Sequence, residues 1–337
     1  MGNPGSGHDS YLQTGPKETT YGTYVAPTQK LEIVNWDLPI DPSLIPDPSL
    51  HGGVSRRALF AGARIFKGSF KVRMNFEGML ELLRGVFPVY SSAVVETGVR
   101  DHTFKEGSLL NSYSPEVILG NIPAGKCCRA LGLKTPTLTI SGTAGTSEEA
   151  MLSAEFGTIV RDYVPDQTPT GALNFPPPNL AILYHSDGAA GAVVDDGTAD
   201  AAADIRVRSF SVTFEQPHTA EERAYLGSKL IDQPLRNAFV KATWKFEQEF
   251  ITKTLFEAAR NFTEGSPRLL FQHPETIGIV SKREFEIRSL RANLVGYSPP
   301  VNDYGIIVST ATWESFYDAG DVGSLVVRVR NTEAALP

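Results

Sequence analysis

Phe66-Lys67-Gly68-Ser69-Phe70-Lys71-Val72-Arg73-Met74-Asn75-Phe76 alternates without a break. Phe66, Gly68, Phe70, Val72, Met74 and Phe76 share one face, with polar residues between them. Side chains of a strand point to opposite faces in turn, so this is a half-buried strand. It runs into Glu77-Gly78-Met79-Leu80-Glu81-Leu82-Leu83-Arg84-Gly85. There Met79, Leu80 and Leu83 fall at helical spacing, an acid sits in the first turn, and Arg84 then Gly85 close the end. That pattern predicts a short helix.

Upstream, Leu31-Glu32-Ile33-Val34-Asn35-Trp36 reads as a strand. Residues 39–63 follow as a long loop, with Pro39, Pro42, Pro46 and Pro48 barring a central strand. Downstream, strands are expected at about 101–105 and 114–119. A longer pair is expected at 127–140 and 149–163. Pro165, Pro169, Pro176, Pro177 and Pro178 then mark a stiff linker. Asp187, Asp195, Asp196, Asp200 and Asp204, set among Ala and Gly, make the following stretch an acidic, mobile loop by composition.

The second half repeats this order. Ile205 to Phe214 is a strand, 215–235 a loop, Phe239 to Glu247 a strand, and Phe250 to Arg260 a short helix. An offset of 170 residues sets Phe70 on Val240, Val72 on Ala242, Met74 on Trp244, Phe76 on Phe246 and Leu80 on Phe250. Phe285 to Leu290 and Ile306 to Ala311 then answer the long strand pair of the first half. The organisation expected is an N-terminal arm at 1–29, a first module at 30–164, a Pro-rich linker and acidic loop at 165–204, and a second module at 205–333. The fold class expected is mainly β with short helices, in two copies of one barrel or sandwich module, each with a flanking α-helix.

The 337 residues suit about two domains and a sizeable core. The net charge of −7 disfavours a protein that grips nucleic acid, because phosphate binding rests on clustered Lys and Arg. No apolar run is long enough for a transmembrane helix, so no membrane insertion is expected. No basic and apolar leader is visible at the start. Cys127 and Cys128 are adjacent and give no disulfide framework, which suits a reducing cytoplasm. The chain has no phosphate-binding glycine loop, no dinucleotide fingerprint, no HExxH, no zinc spacing and no GxSxG elbow. Its six histidines are scattered. The reading is a non-enzyme, with no catalytic, cofactor-binding or metal-binding residues and no cofactor.

Glu18-Thr19-Thr20-Tyr21-Gly22-Thr23-Tyr24-Val25-Ala26-Pro27-Thr28 resembles the opening arm of tail tube proteins of long, non-contractile-tailed bacteriophages. Lys67 to Gly85, Asp101-His102-Thr103-Phe104, Ser315 to Gly320 and Val326 to Thr332 are similar to later segments of that family, in the same order. The resemblance covers about residues 18–333; the acidic stretch 187–204 matches no motif of it. It implies a structural virion protein, made in the host cytoplasm, that stacks in rings to form the conduit for DNA ejection. Partners implied are further copies of itself, the tape measure protein, and tail terminator and tip proteins.

With two modules per chain, three chains supply six, so a trimeric ring with pseudo-sixfold symmetry is expected ahead of a hexamer. DNA is expected to pass through a net-negative lumen without tight binding. Residues 1–29, 39–63 and 215–235 are expected to order only against neighbouring subunits. The alternative is a receptor- or carbohydrate-binding β-sandwich of a tail tip or baseplate, with the aromatics forming a stacking surface.

Overall fold

A computed structural model of the chain describes residues 10–38, 44–46, 59–62, 64–119, 126–145, 151–171, 173–183, 192–196, 198, 206–220, 223–225, 228, 230–251, 253–299, 306–320 and 323–337. The first half carries β1 (Tyr11–Thr14), β2 (Gln29–Leu31), β3 (Ile33–Asp37), β4 (Leu44–Pro46), β5 (Leu59–Ala61), β6 (Phe66–Arg73), α1 (Leu80–Val86), β7 (Val89–Glu96), β8 (Val99–Lys105), β9 (Glu116–Ile118), β10 (Cys127–Leu131), β11 (Lys134–Thr143), β12 (Ser153–Val160) and β13 (Asp162–Gln167). β14 (Ala192–Asp195) lies between the halves. The second half carries β15 (Val207–Glu215), β16 (His218–Thr219), β17 (Leu235–Arg236), β18 (Lys241–Glu249), α2 (Thr254–Asn261), β19 (Glu264–Gly265), β20 (Arg268–Thr276), β21 (Lys282–Arg288), β22 (Ala292–Ser298), β23 (Val308–Ser315) and β24 (Val326–Asn331). The fold is mainly β, as its alternating segments require.

The central sheet has nine strands in the order β19-β22-β23-β18-β15-β11-β12-β6-β3. Every neighbouring pair in it is antiparallel. Within it the run β3-β6-β12-β11 from the first half has the same connectivity as β15-β18-β23-β22 from the second: strand, partner strand, then a hairpin returned so that its second member lies inside. The two runs join edge to edge through β11 and β15, with Leu138 opposite Phe214 and Ile140 opposite Val212. α1 packs on β11 and α2 on β22, the corresponding strands.

A six-stranded sheet, β14-β20-β21-β24-β8-β7, packs over the central one. Phe210 meets Phe271 across the gap at 5.8 Å between ring centroids, and Phe87 meets Phe214 at 4.5 Å. One contiguous core runs through both halves. It takes Phe70, Val72, Phe156, Phe210, Trp244, Phe246 and Trp313 from the central sheet, and Phe104, Phe271, Phe285 and Val327 from the other. The Trp244 indole N–H donates to Ser315 Oγ at 2.8 Å, which satisfies its buried polar atom.

Residues 10–29, read from sequence as part of an arm, are folded together with 30–31. β1 pairs with β2 and with β9, in the five-stranded sheet β13-β10-β9-β1-β2. Leu12, Gln13, Thr14 and Leu31 are buried. The Glu18 carboxylate is buried too; it accepts the backbone N–H of Gly22 and of Gly132, and the Ser114 hydroxyl. No alternation announced this, because the anchor is one carboxylate in a turn-rich stretch. Gly132 holds φ +66, and a Cβ there would lie 2.9 Å from the Tyr21 ring. That turn splits the expected 127–140 strand into β10 and β11.

The helices differ from the sequence reading in their offset. α1 starts at its N-cap Met79, and Gly85 lies inside it, where a Cβ would meet Thr135 Oγ1 at 3.0 Å. α2 begins at Thr254, four residues later than expected, because β18 continues to Glu249 and the Phe250 N–H still bonds to the Ile307 carbonyl. The two N-caps, Met79 and Lys253, are therefore 253 − 79 = 174 residues apart, not 170. Phe76 lies past the end of β6 and Phe246 in the middle of β18, so the two are not equivalent, although both are buried. The counterpart of the β11–β12 hairpin is β22–β23; the expected strand 285–290 is instead part of β21, in the other sheet.

The linker is anchored over part of its length. β13, with Pro165, is an edge strand, the place where a sheet tolerates proline. Leu180 and Ile182 are buried, and the Ile182 N–H donates to the Met74 carbonyl. Neither described helix is long and apolar enough to cross a membrane.

Candidate assembly surfaces

Alternation gives the central sheet a second face, turned away from the core. β11 places Thr137, Thr139, Ser141 and Thr143 there, and β15 places Ser209, Ser211, Thr213 and Glu215. The hydroxyls meet across the joint between the halves, where Thr139 and Thr213 lie 3.2 Å apart, and within the first half, where Ser141 of β11 and Ser153 of β12 lie 3.3 Å apart. Charged residues flank this hydroxyl stripe. Lys71 stands opposite Glu155, and Lys241 opposite Glu215. Lys241 Nζ also lies 3.8 Å from Glu314, and Ser209 donates to Glu247 at 2.7 Å. Along β6, β12, β15, β18 and β23 the face carries Lys67, Lys71, Arg73, Lys241 and Lys245 against Glu155, Glu215, Glu247 and Glu314, close to balance. At its margin Arg208 and Arg206 bond to Glu249, and the Arg208 guanidinium holds that carboxyl below the usual range.

One end of this face is roofed. Ile159 points outward from β12, yet it is buried by Ala220 and Ile231, with Ile65 packed beside them. Part of the 215–235 loop, Ala220 and Ile231, therefore folds onto the body, against the expectation that it orders only on a neighbour. Arg64 and Leu230 form an isolated bridge. Lys134, fully buried at the same end, sends its ammonium toward the Pro234 carbonyl at 3.4 Å; burial lowers its pKa to about 8. Most of 39–63 lies outside the described residues.

The two margins of the sheet differ from each other. Among the described residues β3 pairs with β6 on one side only, and Val34 on it is exposed. At the far margin β19 covers just Ala292 and Asn293 of β22, and Val295 is exposed beyond it. Paired edges hide their N–H and C=O groups, whereas open ones invite another strand. β22 was missed in the sequence because a bulge between Leu294 and Gly296 breaks its alternation.

Of the acidic stretch, Asp195 ends β14 at the edge of the six-stranded sheet, opposite Arg268. Asp196 is buried, accepting from Gln248 and from Thr198. A strand and a buried carboxylate thus replace part of the expected mobile loop; Asp187, Asp200 and Asp204 lie outside the described residues. Cys127 and Cys128 are buried and unpaired, and burial pushes the Cys127 thiol up to about 11. Phe70, Phe76, Trp244 and Phe246, the aromatics of the alternating segments, are all buried in the core and so offer no stacking surface themselves.

A continuous antiparallel sheet with a hydroxyl face and two unlike margins is a wall, and comparison with known families agrees. Residues 7–314 match the phage tail tube protein family. The chain belongs to that family. None of the curated proteins compared with this tail tube protein matches it. As a tail tube protein it is a structural component of the virion that self-assembles into a tube.

Proposed function

We propose that three copies of this chain close into a ring, that rings stack, and that the stack is the conduit through which DNA leaves a non-contractile tail. The observation that carries this is the repeated strand order in the central sheet. β22 corresponds to β11, and β3 corresponds to β15. The joint β11–β15 within one chain is therefore a template for a joint between β22 of one copy and β3 of the next. Strand direction alternates throughout, so β22 against β3 is antiparallel, as the template requires. Two modules per chain make three chains a six-module ring, and closure removes both open edges. The module boundaries proposed remain 30–164 and 205–333, with the strand between the halves, β14, serving the second sheet.

The hydroxyl face is assigned to the bore and the six-stranded sheet to the outside. Sliding DNA needs a wall that stays hydrated and offers no cluster of unpaired cations. Paired Lys and Glu on either side of a Ser/Thr stripe meet both needs. The wall on this assignment is near charge balance, in place of the net-negative lumen expected from composition. Contacts with tape measure, terminator and tip proteins belong to the ends and the bore of such a stack, as the family implies.

The test is an image of the assembled protein with ring symmetry resolved. Three chains per ring with β22 beside β3 of the neighbour support the proposal; six chains per ring, or edges facing solvent, overturn it. Cysteines at Val34 and Val295 joined by a flexible bifunctional maleimide give the same answer in solution: covalent trimers are expected.

A further inference from the structure

The two hairpins of the six-stranded sheet are separated by β24, yet their tips touch. Glu96, at the β7–β8 tip, accepts the backbone N–H of Ile279 and of Ser281, each at 2.8 Å, from the β20–β21 tip. Those bonds hold its carboxylate below its ordinary pKa, with the Ser281 side chain contributing most. The clasp fixes an apolar knob in place. Ile279 is 90% exposed and Val280 81%, and beside Glu96 stand Val94 and Val95, also exposed. Aliphatic side chains this bare, on a rigid support, mark a contact surface, and prior ordering lowers the cost of docking.

A second, different apolar patch lies at the opposite end of the same hairpin. Val89 opens β7, and a Cβ on Gly107 would lie 3.2 Å from it. The Gly107 carbonyl accepts from Arg236, which brings the Leu235–Phe239 turn alongside. Leu109, Leu235 and Val89 are exposed, and Phe239 is 96% exposed. An eight-residue strand is about 25 Å long, so the two patches are separated by roughly that distance. Unlike patches at opposite ends of one subunit form a head-to-tail contact, which propagates as an open stack instead of closing on itself. The lateral joint is already assigned to β3 and β22, which leaves the axial direction for this one.

We infer that the clasped hairpin tips, Val94, Val95, Ile279 and Val280, dock onto the Val89–Leu109–Leu235–Phe239 patch of a second copy in the next ring. This rests on the tube reading above and names the axial contact within it. The test compares full-length wild type with Ile279→Asp and Phe239→Asp by thermal melting and negative-stain microscopy. Both variants are expected to melt within a few degrees of wild type, because both residues are exposed, and to form rings whose stacks are at least tenfold shorter. Cysteines at 279 and 239 of one chain are expected to cross-link between copies in the polymer and not in isolated rings.

Wild-type tubes beside equally long Ile279→Asp tubes overturn the inference and leave the tube reading standing. Loss of rings as well as stacks also overturns it, since the contact would then be lateral. A wild-type chain that forms neither rings nor tubes overturns the tube reading itself.

Discussion

Phe246 and Lys245 are neighbours in β18 with opposite surroundings. Phe246 is fully buried between Phe210 and Ala311 on the adjoining strands, and Lys245 lies on the hydroxyl face beside Ser211 and Thr312. Phe246→Ala is expected to cost about 3–5 kcal/mol, the usual range for a buried Phe. Lys245→Ala in the monomer is expected to stay within about ±0.5 kcal/mol. Denaturant melts of both variants decide it, and similar losses would mean that the strand phase is wrong. The same alternation made this pair legible in the sequence, because a period of two needs only local information. Glu18 was illegible for the opposite reason. Its three donors come from residues 22, 114 and 132, and no local pattern encodes such a meeting.

Glu333 gives the chain a pH dependence. It accepts from Asn331 at 2.6 Å, and burial raises its pKa to about 7 from an ordinary value of about 4.5. Between those values the folded chain holds a proton that the unfolded chain has lost. The stability this site contributes is therefore complete below about pH 4.5 and is lost as pH rises through about 7. Glu333→Gln keeps the amide neutral throughout. The wild type is expected to lose melting temperature relative to this variant between pH 5 and 8, and parallel curves would remove Glu333 as the cause.

Among elements, the clearest asymmetry is between the two helices. Every residue of α1 is buried, whereas α2 buries only Leu255 and Ala258. Cover for α1 comes from Leu12 of the five-stranded sheet and from Tyr113 and Leu133, which line one small apolar gap with Leu82 of the helix, and from the end of the chain, where the Pro337 carbonyl accepts from Arg84 at 2.7 Å. Deleting residues 1–31 removes β1 and β2 from that cover. The shortened chain is expected to melt at least 10 °C lower, with hydrogen exchange at α1 raised by an order of magnitude or more. An arm that orders only against neighbouring subunits would produce no such loss, and unchanged protection at α1 would restore that reading. Strands such as β6, β15 and β18 were legible because one face meets core and the other meets water. β7 was not, since its exposed residues include Val94 and Val95 and its polar ones Ser91 and Ser92, so hydrophobicity does not track the pleat.

For the whole molecule, the net charge of −7 and the composition of the outward face bear on DNA. Lys71 and Lys241 on that face stand opposite carboxylates, and screening confines the reach of its charges to about 8 Å at physiological salt. The free protein is expected to give no mobility shift of duplex DNA at micromolar concentration and physiological salt. A shift that persists there would mean that the hydroxyl face binds phosphate and does not merely pass it. The repeated strand order of the central sheet was legible as an order of elements. Its offset and the identity of the second hairpin were not, because insertions of a few residues at β18 and a bulge in β22 change the count without changing the fold.

β24 lies between β8 and β21, so a strand from near the end of the chain completes a sheet begun in the first half. From Val99 to Val326 the chain runs 326 − 99 = 227 residues. At about 5–20 residues per second, a ribosome needs roughly 10–45 seconds to supply the missing strand. Throughout that interval the nascent polypeptide holds the β7–β8 hairpin with one side unpaired. The sheet that carries the stacking knob therefore matures last, after synthesis is almost finished. Fragments abandoned midway lack the completed sheet, so a copy that carries the clasped tips on a fully paired support is one whose synthesis has reached β24.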